Sequence, residues 1–468
     1  MRMGTARTRH WAFNIALGIL IELLLVATHD SGVVTAARNW ALDLTMRGHA
    51  AVQKTRSGDA IPLAIIDVDE ETWRNAAWGG GEPYYAPRRE LLGLIDRALA
   101  RQAAIVVVDI VVETPETPGD REFAAAIAAL VPRLRAAHQQ LIFARTISEP
   151  VYAKNALAPA VHASPLDTLI REFPGQLKVA APYFRPSRDG ITREWELWRV
   201  ACRVQGPAGA GRWSVLPSVQ LLIASALKDP SAATPWDNAA ARAACNPMQA
   251  QDVAEQERRV NDSTWQWLRS HPSIVGHSQI REARFEDADL ANEIFFRYPN
   301  SSSGPRRISA LKILDGDSRF ASKTFDHGVV IIGQSFRSAA DEHATPLGAM
   351  SGPLLIANSL DSLLEPGLLQ PPPPLARWML VLISIVFVGW VFARFDSVVG
   401  TLVILVTFLP LLLAINYIFL QYGLWLDFAV PLLGLFVHRV VKGAEQYLEL
   451  LTFKRGEAAG SGTEGDQA

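Results

Sequence analysis

Carboxylates gather where two apolar runs of this sequence end. Leu63-Ala-Ile-Ile-Asp-Val-Asp69 closes on Asp67 and Asp69 with Glu70 behind them, and Ala104-Ile-Val-Val-Val-Asp-Ile-Val111 carries Asp109 with Glu113 and Asp120 following. Carboxylates converging on one crevice can hold Mg²⁺ or Ca²⁺ through oxygen, or the amine of a cationic ligand. The competing reading is that each accepts backbone N–H bonds at a loop or helix start. A third group, Asp341-Glu-His343, stands just before Thr345-Pro346. It resembles a metal or acid–base cluster, yet no second histidine lies at helical spacing, and a hydrogen-bond network fixing the Thr-Pro turn is the alternative. Asp189 and Arg193 read as a turn closed by an ion pair, or as a contact for a ligand anion. Gly333-Gln-Ser-Phe-Arg337 lacks the second glycine of a nucleophile elbow. Gly79-Gly-Gly81 has no following Lys-Ser/Thr and does not cradle phosphate. These patterns assign ligand-binding candidates, but no catalytic residue, no metal site and no cofactor.

The elements that position these groups read as α/β. Both apolar runs have the composition of strands buried on both faces of a parallel sheet. Helical spacing of Leu91, Leu92, Ile95 and Leu99 covers 88–100, a second helix covers 121–137, and 140–144 reads as a third strand. A βαβαβ order implies a doubly wound sheet with ligands at the carboxyl ends of its strands, where the strand order reverses. The alternation over 191–200 suits antiparallel strands, and 214–227 reads as helix. Residues from about 228 to 290 read as a mostly helical surface insertion, after which strands at 292–298 and 329–333 and a helix at 353–364 resume the α/β pattern.

Of the 468 residues 49% are hydrophobic, more than a soluble chain needs, so part of the length belongs in a membrane. A balance of 45 basic against 47 acidic side chains supplies no field for a phosphate backbone, which argues against nucleic-acid binding. Apolar runs at 11–28, 376–393, 398–419 and 424–440 give about four transmembrane helices. Arg2, Arg7, Arg9, Arg394, Arg439, Lys442, Lys454 and Arg455 all fall on one side if the N-terminus is cytoplasmic. The map is then a cytoplasmic N-terminus and first span over 1–29, an extracytoplasmic domain over 30–374, three spans over 375–441 and a short cytoplasmic tail over 442–468. Cys202 and Cys245, the two cysteines, both lie in the part assigned to an oxidising compartment, where they are expected to form one disulfide. Glu22 lies inside the first span; it is a functional candidate, or bundle glue hydrogen-bonded to Ser384 or Asn416.

Several stretches resemble the CHASE2 family of extracytoplasmic sensory domains of bacterial membrane receptors. They are Ile65-Ile-Asp-Val-Asp-Glu-Glu-Thr72, Pro87-Arg88 with Leu94-Ile-Asp-Arg-Ala-Leu99, Val108-Asp-Ile110, and Asp189-Gly-Ile-Thr-Arg193. Val330-Ile-Ile-Gly333 with Asp341, Thr345-Pro346, Gly352 and Ala357-Asn358, ahead of a Pro-rich step into membrane helices, is the most specific. The sequence departs from the family where Ile356 replaces its usual histidine and Tyr84-Tyr85 replace its Trp-rich segment. The resemblance implies a membrane-anchored receptor, with Asp67, Asp69, Asp109, Arg193, Asp341, His343, Thr345 and Asn358 as candidates to bind an unknown small ligand or a periplasmic partner. Family members usually continue into a cyclase or kinase. Here about 28 residues follow the last apolar run, so output is expected from a separate cytoplasmic protein, and homodimerisation stays open. A constitutive envelope scaffold and a metal-dependent exported enzyme are the rival readings.

Overall fold

The first apolar stretch does not continue past residue 28. Arg2–Ala27 forms helix α1, and Ser31 starts a second helix, Gly32–Val52 (α2), by accepting a hydrogen bond from Val34 N–H at 3.4 Å as an N-cap. This computed structural model describes residues 2–28, 31–52, 61–81, 86–113, 118–148, 160–204, 211–230, 244–245, 253–275, 291–294, 296–297, 304–316, 325–339, 341–365, 372–395, 397–420, 422, 424–429, 431–441, 443–444 and 447. Met1–His49 with Leu369–Ala468 makes one compact unit, and Ala50–Leu368 the other.

In the second unit the apolar runs become Leu63–Val68 (β1) and Ile105–Asp109 (β2). Between them lie Glu70–Arg74 (α3) and the amphipathic Arg88–Ala100 (α4). Asp120–Ala136 (α5) leads to Gln140–Ala144 (β3), followed by Ile147–Ser148 (β4), Ala160–Val161 (β5), Asp167–Glu172 (α6) and Leu177–Ala180 (β6). Phe184–Pro186 (β7), Thr192–Glu196 (β8), Trp198–Val204 (β9) and Gly211–Pro217 (β10) precede Val219–Lys228 (α7), Ala244–Cys245 (β11), Val253–Ser270 (α8) and Ala291–Glu293 (β12). Arg306–Ser309 (β13), Ala310–Leu314 (α9), Val329–Gln334 (β14), the hairpin Glu342–Thr345 (β15) and Gly348–Ser351 (β16), and Gly352–Leu364 (α10) complete the unit.

Six parallel strands form the main sheet in the order β13-β1-β14-β2-β3-β6. Alternate residues of these strands point to opposite faces. Ala64, Ile66, Val68, Val106, Val108, Val330 and Ile332 pack with α4, α5 and α9 in one apolar core. Ile65, Asp67, Val107, Asp109, Ile331 and Gly333 alternate with them onto the second face, where α10 packs on β1 and β14 and also against α7. The mostly parallel α/β reading holds, with one difference. From β1 through β2 and β3 to β6 the chain steps in one direction, then returns to the opposite edge for β13 and steps inward to β14, which inserts between β1 and β2; the second face is covered by α10, which follows β14 and lies outside that first βαβ series.

The antiparallel additions are a three-stranded sheet β12-β8-β7, the β15-β16 hairpin, and a five-stranded sheet β11-β10-β9-β5-β4, in which only the β5–β9 pair is parallel. Two expectations are corrected here. The stretch expected as helix from 214 begins as β10 and turns helical only at Val219, after Ser218 caps α7 by accepting from Leu221 N–H at 3.1 Å. Strand 292–298 does not rejoin the parallel sheet: β12 pairs antiparallel with β8, and β13 supplies the missing parallel edge. Most of the insertion at 228–290 and all of the tail from 448 lie outside the described residues. Cys202 and Cys245 fall on β9 and β11, strands on either side of β10, and their side chains lie outside what is described.

In the first unit two helices are long and apolar enough to cross a membrane, Leu375–Arg394 and Val398–Leu420. They belong to Pro374–Arg394 (α11) and Ser397–Leu420 (α12). The count rises to three if Trp11–Ala27 and Gly32–Ala51, bent by 97°, form one broken span. Among the described residues two to three candidate spans are found where four are expected. The run expected at 424–440 is interrupted because Asn416 Oδ1 accepts from Leu426 N–H at 3.0 Å and Asp427 Oδ1 from Ala429 N–H at 3.1 Å, holding the backbone in a turn. Only the shorter helix Pro431–Val441 follows.

Candidate functional site

Register alone brings the first two carboxylates together. Asp67 of β1 is level with Gly333 of β14, and Gly333 with Asp109 of β2. At about 4.8 Å between strands their Cα atoms lie roughly 10 Å apart, both on the α10 face. Gly333 leaves the space between them free of side chain, and Pro353 of α10 fills it: a Cβ on Gly333 would collide with the Pro353 ring and lie 3.5 Å from Asp109 Cβ. Asp341 enters from the other side. Its backbone carbonyl accepts from Gly352 N–H at 3.0 Å, and its carboxylate lies so close over Gly352 that a Cβ there would strike it.

The three groups have different electrostatic surroundings. Asp109 is half-buried at the end of β2, and desolvation there together with the charge of Asp341 pushes its carboxyl up to about 8. Asp67, 2% exposed, is also raised, because burial outweighs the attraction of Arg307 and the hydrogen bond from Ser335. Its Oδ2 is ion-paired with Arg307 and accepts from Ser335 Oγ at 2.8 Å, while its Oδ1 is buried without a hydrogen-bond partner. Asp341 Oδ1 lies 3.2 Å from His343 Nε2.

A cleft of about 620 Å³ opens beside this group. Its wall includes Asp341, Glu342, Leu347, Met350 and Ser351 of the hairpin segment and Leu354 of α10. The opposite side is made by Glu70 and Arg74 of α3, Arg307 of β13, and Ser335-Phe336-Arg337 after β14. Asp341 lines the cleft whereas Asp67 and Asp109 lie behind its wall, Asp67 being held by Arg307 and Ser335, which do line it. Phe336 stacks on Trp73 with ring centroids 4.9 Å apart, which fixes the floor. Arg74 pairs with Glu70 at 2.6 Å, and Glu70 accepts from Arg337 N–H at 3.2 Å. The lining thus offers guanidinium groups, carboxylates and an apolar strip. Among the described residues no group of three or more His, Cys, Asp or Glu is placed to hold a metal ion.

Other expected site residues have local structural work. Asp69 is the N-cap of α3, accepting from Thr72 N–H at 2.9 Å and Thr72 Oγ1 at 2.7 Å. Arg193 grips Asp189 with two hydrogen bonds at 2.9 and 2.8 Å, which holds the Asp189 carboxyl below its ordinary range. Thr345 closes the hairpin by donating to Gly348 O at 2.6 Å and accepting from Leu347 N–H at 3.2 Å. Asn358, fully buried in α10, accepts from Arg297 N–H at 2.6 Å. His343 packs edge-on against Phe184, its ring 5.8 Å away. Glu113 fastens the loop after β3 by accepting from Thr146 N–H and Oγ1, both at 2.6 Å. Asp120 forms a buried ion pair with Arg88 at 2.5 Å. Arg307, Ser335, Phe336 and Arg337 were missed. The last three directly follow a strand end and could have been found by that position, whereas Arg307 sits on a strand without an apolar run.

A family model described as CHASE2 domain matches residues 17–393. The chain belongs to the CHASE2 family. Comparison with curated proteins and with solved structures finds no match. CHASE2 is an extracytoplasmic sensory domain, and here the match extends from within α1 to the end of α11, so it takes in both the sheet that gathers the carboxylates and helices apolar enough to span a membrane. The signature segments of this CHASE2 chain serve mostly as fasteners: the Pro87-Arg88 pair anchors the loop before α5, and Asp189 with Arg193 ties the turn into β8.

Proposed function

We propose that the chain is a multi-pass inner-membrane receptor whose extracytoplasmic domain, placed at about 30–374, binds a small polar ligand in the cleft beneath the hairpin. Occupancy is relayed through the membrane helices to a separate cytoplasmic output protein. The observation that carries this reading is the convergence of Asp67, Asp109 and Asp341 around a side-chain-free Gly333 at the carboxyl ends of parallel strands, next to an open cleft. Sites of this kind recur at strand ends of α/β sheets. Asp341 and Glu342 suit an amine or hydroxyl of the ligand, Arg307 and Arg337 an anionic group, and Phe336, Met350 and Leu354 its apolar part. Signalling requires two states of the hairpin that differ in affinity for the ligand.

The test is a thermal-shift screen of the full chain in detergent against metabolites and metal ions. A ligand of this cleft raises the melting temperature of the wild type by mass action, and Asp341→Asn abolishes the rise while the unliganded chain still folds. A stabilising compound whose effect survives both Asp341→Asn and Arg337→Ala places binding elsewhere. Turnover of a compound moves the reading to an enzyme, and silence across the panel moves it to a scaffold.

A further inference from the structure

Glu22 has the two side chains expected to fasten it already engaged elsewhere. Ser384 Oγ donates to Leu380 O of its own helix at 2.7 Å, and Asn416 donates to Thr45 Oγ1 at 3.1 Å while accepting from Leu426 N–H at 3.0 Å. Glu22, 9% exposed, faces instead a small cavity of about 40 Å³ inside the first unit, together with Asn14, Ser384 and His438. Asn14 is 2% exposed and its Oδ1 has no hydrogen-bond partner. His438, equally buried, stacks on Phe392 with ring centroids 5.0 Å apart, which fixes its ring. Gly18 and Gly389 bring α1 and α11 into close contact, since a Cβ on either would press on Ile385 or Ile15 at 2.9 or 3.1 Å. The polar groups are thereby enclosed by helices. A volume of this size holds one or two waters when polar partners are present.

An ionisable carboxyl, an imidazole and an unbonded carbonyl oxygen open into the same water-sized space in an otherwise apolar bundle. Such groups are costly there unless they act. We propose that this cavity is a proton-binding site of the membrane unit, with Glu22 as the group that takes up and releases the proton and Asn14 and His438 as its partners through water. Protonated, the Glu22 O–H donates toward the Asn14 carbonyl by way of water. On release the proton passes through water to the His438 ring, leaving a carboxylate balanced by an imidazolium. The other charges facing the site are few among the described residues. The α11 and α12 walls add the hydroxyl of Ser384 and the ring of Phe408, and the turn before Pro431–Val441 adds Asp427, which acts on Glu22 and is paired with Arg38 at 2.7 Å. This site is independent of the cleft in the other unit.

The experiment is infrared difference spectroscopy of the full chain in lipid nanodiscs, cycled between about pH 8 and 5, the range in which imidazole also titrates. In the wild type carboxyl C=O bands sensitive to deuterium exchange appear on acidification, and the Glu22 band is the one that remains in Asp109→Asn. It is lost in Glu22→Gln, and its midpoint moves in His438→Gln and in Asn14→Leu. If Glu22→Gln does not fold, the midpoint shifts of the other two variants decide. A band constant across this range makes Glu22 a permanently protonated fastener and overturns the proposal. So does a band that, in the Asp109→Asn background, persists when Glu22→Gln is added, or one that follows Na⁺ at fixed pH.

Discussion

Asp109 ends an apolar strand where every earlier residue is buried, and the same removal from water that makes the strand legible in the sequence raises its carboxyl to about 8. In the unfolded chain the carboxyl ionises near its ordinary value of about 3.9. Between these values the folded state binds more protons than the unfolded one, so stability falls as pH rises. The contribution of Asp109 is fully present below about pH 4 and lost as pH passes about 8. Thermal unfolding of the wild type is therefore expected to decline by several degrees from about pH 5 to 9, and Asp109→Asn is expected to flatten that slope, with its largest gain at the alkaline end. Asp67, raised in the same direction, keeps part of the slope. An unchanged pH profile in Asp109→Asn would show that the carboxyl is ionised throughout. The two aspartates were readable because each interrupts an apolar run. Arg307 was not, because its meaning depends on Asp67, far away in sequence and adjacent only through strand pairing.

Elements with a sustained period were readable to within a residue or two: β1, α4, β2, α5, β3, β14 and α10 all carry continuous apolar runs or a helical stripe. Those that failed are short or have one wet face. Strand β13 offers Arg306 and Arg307 to solvent and buries Ile308 alone, and β12 resembles a core strand only by composition. Packing of α10 on the sheet depends on a single absent side chain. Gly333→Ala places a methyl against the Pro353 ring, so the helix must shift or the strand must bend. Overpacking of this kind costs about 1–3 kcal/mol, and a urea titration should show a lowered midpoint at an unchanged slope. Because the same shift separates Asp109 from Asp341, Gly333→Ala should also weaken any ligand of the cleft. Full stability in this variant would mean that α10 is less tightly seated than its contacts indicate.

For the whole chain, the basic residues beside the apolar helices predict that a reporter fusion at Gly316 reports the outside, and a fusion at Gly460 counts the crossings after it: the opposite side where the segment ending in Pro431–Val441 completes a third crossing, the same side where α11 and α12 alone cross. A reporter at Gly316 active only in the cytoplasm would remove the receptor reading. Hydropathy marked the membrane segments but could not count the spans, since the turn held by Asn416 and Asp427 is set by side-chain hydrogen bonds that leave no trace in an apolar average. The placement of β14 has a further consequence, for the time course of synthesis. Its partners β1 and β2 are made early, yet Leu63 and Ile105 both pair with Val329. Until Val329 is available, two buried-type strands each present a bare edge, and sheets with such distant pairings close slowly. Nascent chains that stop short of β14 therefore expose sticky edges at the centre of the future sheet and become the natural prey of quality-control proteases, whereas a chain that has delivered β14 seals both edges in a single step.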